Sequence, residues 1–216
     1  PPQLPSPSPL SPLPSPLSHP VTRADALALV HEYTASDSLR KHMLAVEEAM
    51  RAYAARFGED VEQWGLTGLL HDFDYERWPN EEHAPDQGHP AEGVRILRAR
   101  GVPEEVLTAI LGHARYSGVP RQTRLAKTLF AVDELTGLIT ATALVKPTRS
   151  VNDVDARSVQ KKMKDKAFAR GVNRDDITEG AASLDVELAD HVQFVIDAMR
   201  TRADLLGLAG TPGPAA

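Results

Sequence analysis

With 216 residues, 42% of them apolar, 25% charged and none a cysteine, the chain suits one globular domain without disulfides, thiolate metal sites or cysteine nucleophiles. A net charge of −6 argues against indiscriminate attraction to DNA or to an acidic membrane surface. No stretch approaches the roughly 20 apolar residues of a membrane helix, and the missing cysteines fit a reducing, cytoplasmic setting.

The first twenty residues, PPQLPSPSPLSPLPSPLSHP, are so rich in proline that neither helix nor strand ladder can form. They are expected to be a disordered or polyproline-like leader. One domain is then expected over residues 21–208, with a loose tail over 209–216.

From Thr22 onward the apolar spacing is helical almost everywhere, so the expected fold class is all-α. Thr22 caps a helix through about Tyr33. Ser36 or Asp37 caps a longer one to Phe57, stopped by Gly58. A third helix covers Asp60 to about Asp72, and a polar loop runs from Tyr75 to Gly88. Prolines in the first turn open helices near Pro90 to Arg100 and Pro103 to Arg115. A long helix spans about Arg121 to Val145 and ends before Pro147. Helices near Val154 to Arg170 and Arg174 to Ser183 follow, and a last one runs from Asp185 to Leu206. There is no internal repeat.

Several polar residues fall on apolar faces of these helices. His42 fills a step of the stripe Leu39, Val46, Ala49 and Tyr53, and His113 continues the stripe Val106, Ala109 and Ile110. His71 and Asp72 follow the small-residue face made by Gly65, Thr67 and Gly68. His89 opens its helix one turn before Gly93. Asp133 sits inside LFAVDELTGLI, where an ionised carboxylate would cost several kcal/mol without a partner. Imidazoles and carboxylates from separate helices are ligands for divalent Mn, Fe, Co, Ni or Zn. His19, His31, His83 and His191 lack such context and read as surface or loop residues.

The order His42, His71-Asp72, Asp133, with the stretches GLLHDFDYERW, GHPAEGVRIL and FAVDELTGLI, resembles the HD superfamily of metal-dependent phosphohydrolases, in particular its small stand-alone bacterial members. The likeness extends from about Thr22 to Leu208. It implies an all-helical bundle around a central metal site and hydrolysis of a phosphate ester. His42, His71, Asp72 and Asp133 would hold one ion, and His89 and His113 with a bridging Asp72 a second. Where many relatives continue the doublet with Ile-Gly-Lys, this chain has Phe73-Asp74-Tyr75, and a single His113 stands where some carry paired histidines.

The expected substrate is a small anionic phosphate ester, a nucleotide or similar molecule, with neither membrane nor nucleic acid as partner. Besides Asp72, Asp74 is a candidate to orient water or protonate the leaving group, and Arg77 to hold a non-bridging oxygen. The basic stretch from residue 145 to 174 offers Lys146, Arg149, Lys161 and Lys164 as a phosphate-receiving rim. Two other readings share these residues: a di-iron oxygenase with the same ligand set, and a helical module that the metal only stabilises.

Overall fold

A computed structural model describes residues 20–210, so residues 1–19 of the expected leader, His19 among them, and residues 211–216 of the tail lie outside it. The described residues form ten α-helices and no strand. These are α1 (Arg23–Tyr33), α2 (Asp37–Phe57), α3 (Val61–Leu70), α4 (Ala91–Ala99), α5 (Glu104–His113), α6 (Arg124–Leu144), α7 (Ala156–Met163), α8 (Arg174–Ser183), α9 (Leu188–Arg200) and α10 (Ala203–Leu206). None of them is long and apolar enough to cross a membrane.

The starts and stops follow from local chemistry. Thr22 and Asp25 form a capping box on α1, and the side chains of Ser36, Asp60, Thr123 and Asn173 accept the first free N–H groups of α2, α3, α6 and α8. Gly58 ends α2 at φ 71°, a left-handed backbone that costs glycine nothing.

Three predicted helices are shorter than expected. The third stops at Leu70, leaving His71 as its C-cap and Asp72 in the following turn. The seventh ends at Met163 rather than Arg170, because the Arg174 guanidinium gathers the carbonyls of Phe168, Ala169 and Val172 into a loop. The last breaks into α9 and α10 around Thr201, and its predicted start at Asp185 is a turn residue at φ 56°.

The two 21-residue helices, α2 and α6, form the centre. α2 packs against α3, α6 and α9, while α6 packs against α5, α7, α8 and α9. Their apolar faces meet in one core that includes Met43, Val46, Met50, Leu129, Val132 and Leu135. Burying each such side chain removes apolar surface from water at about 25 cal/mol per Å². At one edge, buried Glu47 accepts from Arg23 at 2.6 and 2.9 Å and from Arg51 at 3.1 Å, and Arg51 reaches on to Glu62. α1, α2 and α3 are thereby tied by paired charges instead of one isolated carboxylate.

His191 corrects the expectation of a surface residue: it is fully buried between the central helices. Its Nε2–H donates to the Ala131 carbonyl at 2.9 Å, so its Nδ1 accepts from the Tyr53 hydroxyl at 2.6 Å. Burial lowers its pKa below the ordinary 6.5, despite the bond to the Ala131 carbonyl. Below pH 6.5 the unfolded chain therefore takes up a proton that the folded chain refuses, and stability falls with decreasing pH by up to about 1.4 kcal/mol per unit. Urea unfolding between pH 7.5 and 5 should show this loss in the wild type and a shallower one in His191→Gln. Equal slopes in the two chains would exclude His191 as the source.

Candidate metal centre

The polar residues singled out above arrive at one point from five elements. α2 supplies His42, the turn after α3 supplies His71 and Asp72, the residue pair before α4 includes His89, α5 ends in His113, and α6 supplies Asp133. On one side, His42 Nε2 lies 3.0 Å from Asp133 Oδ1 and 3.7 Å from Asp72 Oδ2, and His71 Nε2 lies 3.4 Å from each of the same two oxygens. On the other, His89 and His113 place Nε2 at 3.3 and 3.4 Å from Asp72 Oδ1 and 3.3 Å from each other. Asp72 thus stands between two donor groups, one at each oxygen.

The outer ring nitrogens fix which atom of each imidazole faces inward. Nδ1 of His71 donates to the Gly68 carbonyl at 2.7 Å, that of His113 to the Ile110 carbonyl, and that of His89 to Asp74 Oδ1 at 2.8 Å. His42 Nδ1 faces the Thr136 hydroxyl at 3.5 Å, whose own hydrogen is committed to the Asp133 carbonyl. All four Nε2 atoms therefore present lone pairs to the centre.

Such an arrangement fits divalent cations. His71 Nε2 is buried without a hydrogen-bond partner, and the lone pairs of His89 and His113 point at each other. Two donors held by one ion at about 2.1 Å, with angles of 90 to 109°, stand roughly 3.0 to 3.4 Å apart, which is the spacing of these contacts apart from His42–Asp72 at 3.7 Å. The electrostatics agree. Burial alone would keep His71 neutral, but the Asp72 and Asp133 carboxylates raise its pKa well above 6.5. Both carboxylates in turn are held below the usual range, against burial, by the surrounding imidazoles. A site that attracts protons this strongly also attracts metal ions, with which the protons compete.

The HD domain family model matches residues 39–138, a span that begins in α2, ends in α6 and contains all six converging residues. Over that span the chain is similar to HD domains. HD domains bind divalent metals and most often belong to metal-dependent phosphohydrolases. No curated protein and no solved structure matches the chain.

A cavity of about 920 Å³ opens onto this centre, lined by His42, Asp72, His89, His113 and Asp133 on its floor. The expected catalytic pair does not line it. Asp74 is buried, with Oδ1 taken by His89 and Oδ2 by the Gly93 N–H at 2.7 Å. It positions the His89 ring rather than touching water. Asp74→Asn, which keeps the shape but replaces one carboxylate acceptor by an amide, should lower metal affinity about 10- to 100-fold with only a small loss of stability. Metal titration of the two chains decides this, and equal affinities would remove Asp74 from the support of His89. Arg77 instead lies over the Tyr33 and Trp78 rings, at 4.7 and 5.8 Å, facing a different surface pocket.

The expected basic rim is also corrected: Lys146, Arg149, Lys161 and Lys164 do not line this cavity. Lys146 lies thirteen residues beyond Asp133 (146 − 133), roughly 20 Å along the helix direction, and Lys161 and Lys164 stand at the end of α7. The walls come from residues the sequence pattern had not singled out. Asn80 Nδ2 and the Tyr116 hydroxyl donate to the His89 carbonyl at 3.0 and 2.9 Å, holding that histidine from outside. His83, expected in a loop, is there and exposed, but it stacks flat on Tyr116 with ring centroids 4.7 Å apart. Glu134, next to Asp133, also lines the cavity; burial, and then the Asp133 charge, push its carboxyl up to about 8. The cost of charging that group falls when a cation is brought beside it.

Proposed function

We propose that this protein hydrolyses phosphate esters with two divalent ions, the first held by His42, His71, Asp72 and Asp133, the second by Asp72, His89 and His113. The observation that carries this reading is the double use of Asp72, whose two oxygens each face a separate set of imidazoles. Imidazole nitrogens and carboxylate oxygens without a thiolate suit Mn, Fe, Co, Ni or Zn. When bound, the ions supply Lewis acidity: water ionises near neutral pH, and negative charge on the phosphoryl oxygens is neutralised.

The chain's own contribution is placement. The four Nδ1 bonds fix the ring planes, so the donors need little rearrangement when loaded. The surrounding core, with Leu69, Phe73 and Leu129 fully buried, closes the centre from behind, so that substrate and water enter from the cavity side. In the overall reaction, water supplies the incoming oxygen, the bond from phosphorus to the ester oxygen breaks, and the two protons of water end on the alcohol and the phosphate.

Elemental analysis of protein purified without added metal, followed by phosphate release from a panel of monoesters and diesters, tests the proposal. Two ions per chain and turnover of an ester are expected. Tightly held iron with near-ultraviolet or visible absorption, and no phosphate from any ester, would point to oxygen chemistry instead. Metal-dependent stability without turnover of any kind would leave the centre a structural one.

A further inference from the structure

We propose, resting on the hydrolase reading, that the cavity selects a phosphate ester whose organic part carries a primary amine, and that Glu134 is the carboxylate that receives it. Arg115 is the one Arg or Lys side chain among the lining residues, and it already pairs with Asp176 and Glu179, each at 2.6 Å. The other ionisable side chains of the walls are Glu81, Glu134 and Asp176. Ions at the floor would offset Asp72 and Asp133 and hold one phosphoryl group. A second or third phosphate, as in a nucleoside polyphosphate, would then face carboxylates with no free cation to meet it.

Glu134 is the wall position best placed for a ligand's positive charge. It follows Asp133 directly in α6, so it sits beside the floor where the phosphoryl group would be held. The Asn173 backbone faces it, and no Arg or Lys side chain pairs with it among the described residues. Asp176, by contrast, is spoken for by Arg115. The mouth adds electron-rich faces: Tyr75, half exposed and packed edge-on to His89 at 5.1 Å, and the His83–Tyr116 stack. Aromatic rings and a half-buried carboxylate lining one cavity can attract an ammonium group twice over, by ring quadrupole and by charge. The volume, about 920 Å³, is that of a small-molecule site.

Two readouts on the Mn-loaded protein test this. Phosphate release is measured from phosphorylethanolamine, from propyl phosphate, which has nearly the same length without the amine, and from ATP. Calorimetric binding is measured for 3-aminopropylphosphonate against butylphosphonate. The amine-bearing member of each pair should be preferred at least ~10-fold, ATP should be the poorest substrate, and Glu134→Gln should bring both preferences close to one. Hydrolysis with no amine preference, a preference that survives Glu134→Gln, or ATP as the best substrate overturns the inference while the hydrolase reading stands. Release from no ester by protein carrying two ions overturns the hydrolase reading, and the inference with it.

Discussion

An Asp72→Ala chain is expected to purify with less than half the wild-type metal and to release phosphate on the order of 1,000-fold more slowly, beyond the 10- to 100-fold of an outer partner. The size of the effect follows from position. Asp72 Oδ2 faces His42 and His71, Oδ1 faces His89 and His113, and one substitution removes a donor from both groups. Asp133→Ala touches one group alone, since its Oδ1 neighbours are His42 and His71. The second variant should therefore keep about one ion per chain where the first keeps neither reliably. Far-ultraviolet circular dichroism should be nearly unchanged in both, because Asp72 lies in a turn and Asp133 makes no capping contact. Full metal stoichiometry in Asp72→Ala would remove the bridging role, and loss of both ions in Asp133→Ala would mean that the two groups are not separable.

The helices and three of the six central residues were legible in the sequence for one reason: both are written in local spacing. His42 and His113 occupy steps of apolar stripes, and Asp133 interrupts an apolar helix, so periodicity alone marks them as inward-facing. Tertiary partners were not legible. Asp74 reads as a polar residue at a helix end, and only the approach of α4, with the Gly93 N–H aimed at its carboxylate, turns it into a support for His89. His191 shares the helical stripe of Leu188, Val195 and Ala198, a sign of burial that was passed over, but its partners, Tyr53 and Ala131, are more than fifty residues away and could not be read. The lysines of residues 161–166 misled for the converse reason. A charge run shows what a helix face carries and says nothing of which cavity that face meets.

Glu134 shows a limit of a different kind. Two adjacent acids in an apolar helix must point about 100° apart, so Asp133 and Glu134 cannot both face one core contact. In the folded chain the first lies at the floor of the cavity and the second on its wall. Acidic walls above a floor loaded with cations, as proposed, would favour a ligand with charge of both signs. That is a narrower specification than the family alone provides.

Gly68→Ala is expected to destabilise the fold by about 2 to 3 kcal/mol, a fall in melting temperature of roughly 4 to 12 °C. A Cβ at this position would stand 2.9 Å from both the Glu47 backbone nitrogen and the Val46 carbonyl oxygen, and backbone atoms in the middle of α2 cannot turn aside as a flexible side chain would. α3 must then move off α2, and α2 carries His42 while the turn closing α3 carries the His71-Asp72 pair. Metal affinity should fall along with stability, since His42 and His71 belong to the same donor group, and excess metal should recover part of the lost melting temperature by mass action. Gly137→Ala provides the opposite sign. The nearest atom to its Cβ is Val172 Cγ2 at 3.8 Å, an ordinary contact, and alanine in a helix interior restricts the unfolded chain, so that variant should gain about 0.4 to 1 kcal/mol. Thermal melts of the two variants beside the wild type measure both shifts. A Gly68→Ala chain that melts with the wild type would show that α2 and α3 do not depend on that close approach to bring their histidines together.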